Sequence, residues 1–270
     1  FKNDSNYCVK VGVTAQHREM LDQVIRFFNI EVDYDLNVMK PNQTLPQLTA
    51  DLISKITNEI LLKESFDYVF VQGDTTTVLA SSLAAFYQKI KVIHIEAGLR
   101  SHDIYSPFPE EMNRLLASRI ANIHFCPTIL AEKNLHEENC NENVFVVGNT
   151  VIDALFMGLE KIKNEGYEKQ LLTKYNFIDF SKKIILVTCH RRENFGEPFN
   201  EICDALLEIA SKEKNNVEII FPVHLNPNIL EIAHKKLIAS NIKLIHPLEY
   251  PELIWIMNKS YLIITDSGGI

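Results

Sequence analysis

Carboxylate residues stand at three points where predicted strands end or a predicted helix begins. Asp74 and Glu96 each follow an apolar, β-rich run, and Glu110 opens a predicted helix. The carboxyl ends of parallel strands all point to one edge of a sheet, and ligands bind at that edge. A carboxylate at the end of a buried strand, as predicted for Glu96, costs several kcal/mol unless it is paired or functional. The sequence therefore predicts a site built from these carboxylates.

Each of these carboxylates except Glu96 also has a good structural explanation. Asp74 precedes Thr75, and both residue types are favoured as helix N-caps, so a capping role is equally open. Pro109 is expected at the first helical position, which places Glu110 and Glu111 in the first turn, where negative charge is favourable. A functional role for Glu110 therefore depends on its neighbours in the site.

Residues in the second half of the chain suit an anion. His190 and Arg191 directly follow an apolar run and predict an anion-binding corner, although a solvated loop is the alternative. Ser267, Gly268 and Gly269 form a glycine turn after another run, where free backbone N–H groups suit a phosphate. The chain contains neither the G-x-G-x-x-G fingerprint nor a P-loop, so we expect no bound NAD and no ATP-driven motor.

The composition argues against several other ligands and locations. His224 follows a strand run with no charged neighbour, and no histidine pair has metal-ligand spacing, so no metal is expected. A net charge of −8 argues against nucleic-acid and anionic-membrane partners, which need clustered Lys and Arg. The five cysteines are scattered, as in a reducing cytosol, and no signal peptide or membrane-length apolar run occurs. We therefore expect a cytoplasmic protein.

Apolar runs and amphipathic patterns alternate along the chain, which predicts βαβ units and parallel sheets. The main predicted strands are 68–71, 91–95, 123–126, 144–147, 184–187, 217–221, 242–245 and 261–265. The continuous apolar run 68–71 is typical of a strand buried on both faces. Charged and amide residues become frequent between 153 and 182, so we predict two α/β domains, 1–165 and 166–270, whose sheet edges share one cleft.

Both ends of the chain resemble cut ends. The sequence begins at Phe1 without a Met and soon enters an apolar segment. It closes on Ile270, directly after a Gly-Gly turn. We therefore expect an internal fragment of a longer protein.

Seven motifs, taken together and in order, resemble those of the non-hydrolysing UDP-N-acetylglucosamine 2-epimerases. They are G-D-T-T-T from Gly73, H-I-E-A-G-L-R-S from His94, S-P-F-P-E-E-M-N-R from Ser106, G-N-T-V-I-D-A-L from Gly148, H-R-R-E-N from His190, P-V-H-L-N-P from Pro222 and T-D-S-G-G from Thr265. A further segment, T-A-Q-H-R-E-M-L-D-Q-V from Thr14, extends the resemblance to essentially the whole chain.

The resemblance implies a glycosyltransferase-B type α/β fold. In that fold, two Rossmann-like, doubly wound parallel-sheet domains hold the nucleotide sugar in the interdomain cleft, and the family usually forms homodimers. The implied reaction is the reversible inversion of UDP-GlcNAc to UDP-ManNAc at C2, by anti elimination of UDP to 2-acetamidoglucal and syn re-addition. It needs no NAD, metal or other cofactor, and it supplies ManNAc units for surface polysaccharide.

The resemblance also implies roles for individual residues. The implied catalytic residues are Asp74, Glu96, Glu110 and His190, and the implied substrate-binding residues are Asp74, Glu96, Arg114, His190, Arg191, Leu248, Leu253, Ser267, Gly268 and Gly269. Gln16, Arg191 and His224 match an activating second UDP-GlcNAc site of some members, but Glu19 stands where those members have Gln. Leu248 and Leu253 also depart from the family, which often has Gln and an aromatic residue there.

The resemblance leaves several alternatives open. The family's first strand and its G-T-R-P-E loop are absent, as are the Q-E-E helix and the later R-P-E loop. We therefore expect the 270-residue chain itself to lack measurable turnover. The alternatives are a hydrolysing relative that releases ManNAc and UDP, an epimerase of a modified UDP-sugar, a glycosyltransferase that shares the fold, and a non-catalytic nucleotide-sugar binding fragment.

Overall fold

Strands and helices alternate along nearly the whole chain in the computed structural model, as the sequence predicts. The structure describes residues 1–2, 4–15, 18–189, 194, 196–223 and 226–267. Two compact units form, residues 1–154 and 155–270. The predicted boundary at residue 165 lies in the connection between two helices, whereas the contacts divide the chain within the first of them, Thr150–Asn164.

The first unit is built on a four-stranded parallel sheet. Its strands, in spatial order, are β3 (Tyr68–Gln72), β4 (Lys91–Ile95), β5 (Ile123–Cys126) and β6 (Val144–Val146), and a separate parallel pair joins β1 (Gly12–Val13) to β2 (Tyr34–Asp35). The helices are α1 (Arg18–Phe27), α2 (Leu45–Lys55), α3 (Thr76–Tyr87), α4 (Glu110–Ile120), α5 (Ile129–Glu137) and the start of α6 (Thr150–Asn164). A π-helical segment, Ile56–Leu61, continues α2.

The second unit repeats the plan with another four-stranded parallel sheet. Its elements, in chain order, are α7 (Tyr167–Lys174), β7 (Lys183–Thr188), α8 (Glu197–Lys212), β8 (Val217–Pro222), α9 (Pro227–Lys236), β9 (Ile242–Ile245), α10 (Tyr250–Lys259) and β10 (Ser260–Thr265). The spatial order is β10-β7-β8-β9. Fully buried apolar side chains such as Phe199, Ile219 and Phe221 form its core between the sheet and the helices. The predicted pair of parallel-sheet α/β units is confirmed.

Strand β3 differs from the expectation of burial on both faces. Val71 is buried, but Tyr68 and Phe70 on the opposite face are 42% and 44% exposed. Successive side chains of a strand point to opposite faces, so only one face of β3 is buried. β3 stands at the end of the strand order, whereas β4, with neighbours on both sides, has Val92, Ile93 and His94 all buried. An apolar run alone does not reveal this position in the sheet.

Helix α4 begins one residue later than predicted. Pro109 occupies the N-cap position, and Glu110 is the first helical residue. Within the part of the chain that the structure describes, no helix has both the length and the apolar character that crossing a membrane requires.

Candidate active site

Asp74 lies in the turn that follows β3. Gly73 has a φ of 80°, a left-handed conformation that glycine adopts without strain, and it turns the chain from the strand toward α3. The N-cap position of α3 belongs to Thr75 rather than Asp74. The capping explanation for Asp74 is therefore wrong, and its carboxylate instead accepts hydrogen bonds from Arg114, from Nε at 2.9 Å and Nη2 at 2.6 Å.

Arg114 joins Asp74 to a second, buried carboxylate on its own helix. Its Nη1 donates to Glu111 at 3.0 Å, across the one-turn spacing that lets side chains of a helix meet. Glu111 is 1% exposed. Burial by itself would raise the pKa of Glu111, but N–H groups of Ser101 and His102 together with Arg114 outweigh it, so the pKa is lowered. The charged form of Glu111 is thus favoured, and it pairs with the guanidinium.

Arg114 remains a firm cation at this point. Burial acts to lower its pKa, but the hydrogen bonds that Arg114 donates to Glu111 and Asp74, together with their negative charges, more than offset this, so the pKa is raised. Asn113, on the same helix, donates from Nδ2 to the backbone oxygen of Asp74 at 2.8 Å. Side chains of helix α4 therefore donate hydrogen bonds to both the carboxylate and the main chain of Asp74.

Glu96 is brought close to Asp74 at the end of the neighbouring strand. It follows β4 in a left-handed conformation with a φ of 64°, which is uncommon for a residue with a side chain. Its Oε2 lies 3.7 Å from the point where a Cβ on Gly73 would stand. Burial and the negative charge of Asp74 raise the pKa of Glu96, against the opposing effects of Gln72 and Arg114. The structure therefore contains two neighbouring carboxyl groups in unequal environments.

Glu110 is half-buried as the first residue of α4. A negative charge is favourable at that end of a helix. Of the two adjacent glutamates, it is Glu111 that binds Arg114, and Glu110 is left outside that ion pair.

The residues that follow Glu96 have structural tasks. Gly98, at a φ of 85°, packs so closely on α5 that a Cβ there would lie 2.1 Å from the carbonyl oxygen of Ala131. Asn134 of α5 donates to the Gly98 carbonyl at 2.9 Å. Arg100 donates to both carboxylate oxygens of Glu138, at 2.7 and 2.8 Å, and its side chain is 1% exposed. These contacts fix the loop that leaves Glu96 at the edge of the sheet.

The second unit has a small polar cluster of its own at the ends of β7 and β10. The Asp266 carboxylate accepts hydrogen bonds through Oδ2 from Cys189 Sγ at 3.3 Å and from Asn194 Nδ2 at 2.9 Å. Burial, followed by Asp266, raises the pKa of the Cys189 thiol to about 12. The backbone N–H of Ser267 donates to Thr265 Oγ1 at 2.9 Å. Asp266 thus links the segment that precedes the predicted anion corner to the predicted phosphate turn.

Several predicted site residues remain outside the described ranges. They are His190, Arg191, Gly268 and Gly269 of the implied substrate site, and Gln16 and His224, which with Arg191 make up the implied activating site. Leu248 is half-buried just before α10, and Leu253 is half-buried on that helix. Among the residues that the structure describes, no three His, Cys, Asp or Glu side chains are grouped to hold a metal ion.

Comparison with known proteins identifies the family. The sequence model described as UDP-N-acetylglucosamine 2-epimerase matches residues 1–270. The chain belongs to the UDP-N-acetylglucosamine 2-epimerase family. The UDP-N-acetylglucosamine 2-epimerase of Salmonella borreze is 51% identical over 273 residues, which cover 100% of this chain and 72% of that protein. The enzyme of the same name from Escherichia coli K12 is 50% identical, covering 99% of this chain and 71% of its own length.

A solved structure agrees with this assignment. The crystal structure of UDP-GlcNAc 2-epimerase from Neisseria meningitidis, bound to UDP-GlcNAc, matches with a TM-score of 0.87 and 48% identity. The match covers 100% of this chain and 72% of that one. The predicted fold class, two Rossmann-like α/β units of the glycosyltransferase-B type, is confirmed.

Sequence reasoning missed the supporting contacts of three residues. Glu111 and Asn113 support Arg114 and Asp74 in the first unit, and Asp266 joins two strand ends in the second unit. The signal for Glu111 was its three-residue spacing from Arg114 on a predicted helix. Asp266 stands at a predicted strand end, but its partners Cys189 and Asn194 lie far away in the sequence, so no local pattern indicates these contacts.

Proposed function

We propose that the protein epimerises UDP-GlcNAc and UDP-ManNAc at C2. The observation that carries the proposal is the pairing of Asp74 and Glu96, two carboxyl groups at neighbouring strand ends, of which Asp74 is bound by Arg114. The family, and the relative that is bound to UDP-GlcNAc, support the choice of substrate. As in that family, ManNAc units for surface polysaccharide are the product's proposed use.

The proposed reaction proceeds by elimination and re-addition. A base removes the C2 proton while the C1–O bond to the diphosphate breaks, and a C1–C2 double bond forms, giving 2-acetamidoglucal and UDP. UDP then adds back at C1, and a proton is delivered to C2 on the opposite face. No electrons are gained or lost overall, and the proton removed in one half is replaced in the other. The protein must therefore supply a proton acceptor, a proton donor and a hold on UDP.

Asp74 and Glu96 lie in unequal environments, which suits a reaction that needs both a proton acceptor and a proton donor. Arg114 binds the Asp74 carboxylate through two hydrogen bonds. Burial, and then the charge of Asp74, raise the pKa of Glu96, which suits this group to carry a proton. Glu110 and His190 complete the proposed catalytic set.

The hold on UDP is proposed for the second unit. Ser267, Gly268 and Gly269 would hold the phosphates, and His190 and Arg191 would add positive charge beside them. The cluster around Asp266 supports this, because it ties the two segments together. The functional form is proposed to be a homodimer.

The test follows hydrogen exchange at C2 by NMR. The protein, at the full length of its relatives, is incubated with UDP-GlcNAc in D2O, because the 270-residue chain is itself proposed to lack measurable turnover. Deuterium at C2 of both UDP-GlcNAc and UDP-ManNAc is expected. Free deuterated ManNAc with UDP would instead indicate a hydrolysing enzyme, and binding without exchange would leave only a binding role. Robust turnover by the 270-residue chain would refute its proposed inactivity.

Variants make the test specific to the carboxylates. Asp74→Asn and Glu96→Gln are each expected to slow exchange by about 10²-fold or more, as the loss of an acid–base group does. Asp67→Asn is the matched control, because Asp67 is exposed just before β3, at the opposite end of the strand from Asp74. Equal rates in all three variants would contradict the assignment of the site. Unequal pH profiles of the Asp74 and Glu96 variants would identify the base.

A further inference from the structure

His94 lies in β4 beneath the turn that carries Asp74. Its side chain has no exposed surface, and it stands in register with Val71 of β3 and His124 of β5. Its Nε2 lies 2.8 Å from the carbonyl oxygen of Gly73, the residue before Asp74. A fully buried imidazole therefore contacts the main chain of the candidate active site.

The hydrogen bond determines the protonation state of this imidazole. A carbonyl oxygen only accepts hydrogen bonds, so Nε2 of His94 must carry the hydrogen. Its Nδ1 is buried without a hydrogen-bond partner among the described residues, and a second proton there would be a buried, unpaired charge. Burial lowers the pKa of His94, as does Arg100, whereas the Gly73 bond and Asp74 act in the opposite direction. The ring is a neutral donor and is unsuited to carry the substrate proton.

Gly73 is held through both of its backbone polar groups. Its N–H donates to the carbonyl of Ile95 at 3.1 Å, and its carbonyl accepts from His94. His94 and Ile95 are the two residues that immediately precede Glu96. Since a peptide unit is planar, fixing the Gly73 carbonyl also fixes the direction in which Asp74 leaves the turn. The end of β4 thus ties the two carboxylates to each other through one glycine.

We propose that His94 is a positioning residue, whose Nε2–H group holds the Gly73 turn so that Asp74 and Glu96 stay in their working geometry. This inference rests on the proposed epimerase function. The imidazole does not touch the reacting atoms. It acts by keeping the Gly73–Asp74 peptide in one orientation, and small displacements of catalytic groups reduce rates steeply.

Three substitutions separate positioning from simple core packing. His94→Leu removes the donor and leaves the Gly73 carbonyl unpaired. His94→Gln can place an amide N–H near the position of Nε2, whereas His94→Asn can place one only near Nδ1, short of Gly73. In the full-length protein, His94→Leu and His94→Asn are each expected to lower kcat for C2 exchange by roughly 10²-fold and to leave KM nearly unchanged. His94→Gln is expected to restore most of the rate.

His124→Leu is the matched control. His124 is also buried, stands in register beside His94 on β5, and has an Nδ1 with no hydrogen-bond partner in the described part of the chain. It is expected to lower the melting temperature while leaving kcat within about threefold of the wild type. Equal kcat losses in His94→Leu and His124→Leu would overturn the proposal. If His94→Leu does not fold, the Gln and Asn variants decide, and equal kcat values for those two would overturn it as well.

The outcome is distinguishable from failure of the proposed function. An inactive wild-type protein contradicts the epimerase proposal and, with it, the role of His94 in that reaction. If the wild-type protein is active and the His94 variants change only in KM or only in thermal stability, the positioning role is contradicted and the epimerase proposal stands.

Discussion

Arg114 binds the Asp74 carboxylate through Nε and Nη2, at 2.9 and 2.6 Å, and its remaining terminal nitrogen binds buried Glu111. One guanidinium thus bridges two carboxylates of unequal burial, whose side chains are 27% and 2% exposed. Glu111 depends on Arg114 for its charge balance, because water barely reaches it. Asp74 retains access to solvent, and hence to a ligand. The ion pair within α4 is therefore the structural support of the site.

Replacing Arg114 should destabilise the first unit. In Arg114→Met the Glu111 carboxylate stays buried without its cation, and the loss is expected to be about 3 kcal/mol at neutral pH. Hydrogen exchange by mass spectrometry should show faster exchange in α4 and β4. The stability of Arg114→Lys should lie between those of the wild type and Arg114→Met, because an ammonium group keeps the charge but cannot reproduce the contacts with both Asp74 and Glu111.

Two controls belong to that experiment. Lys212→Met breaks an exposed pair with Glu208, which should have little effect. The single tryptophan, Trp255, is buried in the second unit and reports that unit by fluorescence. Equal losses of stability in Arg114→Met and Lys212→Met would show that the α4 ion pair stabilises the fold no more than an exposed ion pair does.

Glu96 should make the first unit less stable as the pH rises. Its pKa is raised above the ordinary value of 4.5, first by burial and then by Asp74, so the folded state binds this proton more tightly than the unfolded state. The resulting stability is fully present below the unfolded pKa and is lost as the pH rises through the folded pKa. Glu96→Gln should therefore raise the melting temperature at neutral pH even though it slows C2 exchange.

The comparison at low pH tests the cause. At about pH 4 the wild type and Glu96→Gln should have converging stabilities, because Glu96 is then largely protonated in both folded and unfolded states. Glu142→Gln controls for the loss of one negative charge, since Glu142 is exposed on the loop before β6. A stabilising effect of Glu96→Gln that is the same at every pH would contradict this explanation.

The sequence predicts the strands well because their patterns are local. Three predicted strands, 91–95, 123–126 and 242–245, match the observed bounds of β4, β5 and β9. The exposed face of β3 was not predictable in this way, since it depends on the order of strands in the sheet. Two helices, α6 and α7, occupy the charged region that suggests a domain boundary. Their apolar residues are spaced among many charged ones, so the helical pattern is hard to see in the sequence.

The candidate site was predictable in its residues and less so in its contacts. Asp74 and Glu96 were identified by their positions after strands, and the structure brings them together. The choice between Glu110 and Glu111 as the partner of Arg114 depends on helical spacing from that residue. The link from His94 to Gly73 joins residues of two strands, and no pattern within either strand indicates it.

Gly98 should tolerate no side chain. A Cβ there would lie 2.1 Å from the Ala131 carbonyl oxygen, and its φ of 85° disfavours any other residue. Gly98→Ala is expected to cost more than about 4 kcal/mol or to prevent folding of the first unit. Gly148→Ala is the control, because Gly148 has a similar φ of 84° but open space around it, so only about 1–2 kcal/mol of backbone strain is expected. Equal losses of stability in Gly98→Ala and Gly148→Ala would mean that α5 can shift to accommodate the added methyl group at little cost.

The cysteines should react with iodoacetamide in the order of their exposure. Cys8 is exposed and should be alkylated first, followed by Cys140, which is half-buried. Cys126, Cys189 and Cys203 are buried, and burial raises their pKa values to about 11, 12 and 11, so little thiolate is available at neutral pH. Peptide mass spectrometry of the native chain checks the order, and the same reaction in urea should label all five. Rapid native labelling of Cys189 would contradict its burial beside Asp266 and, with it, the link between the ends of β7 and β10.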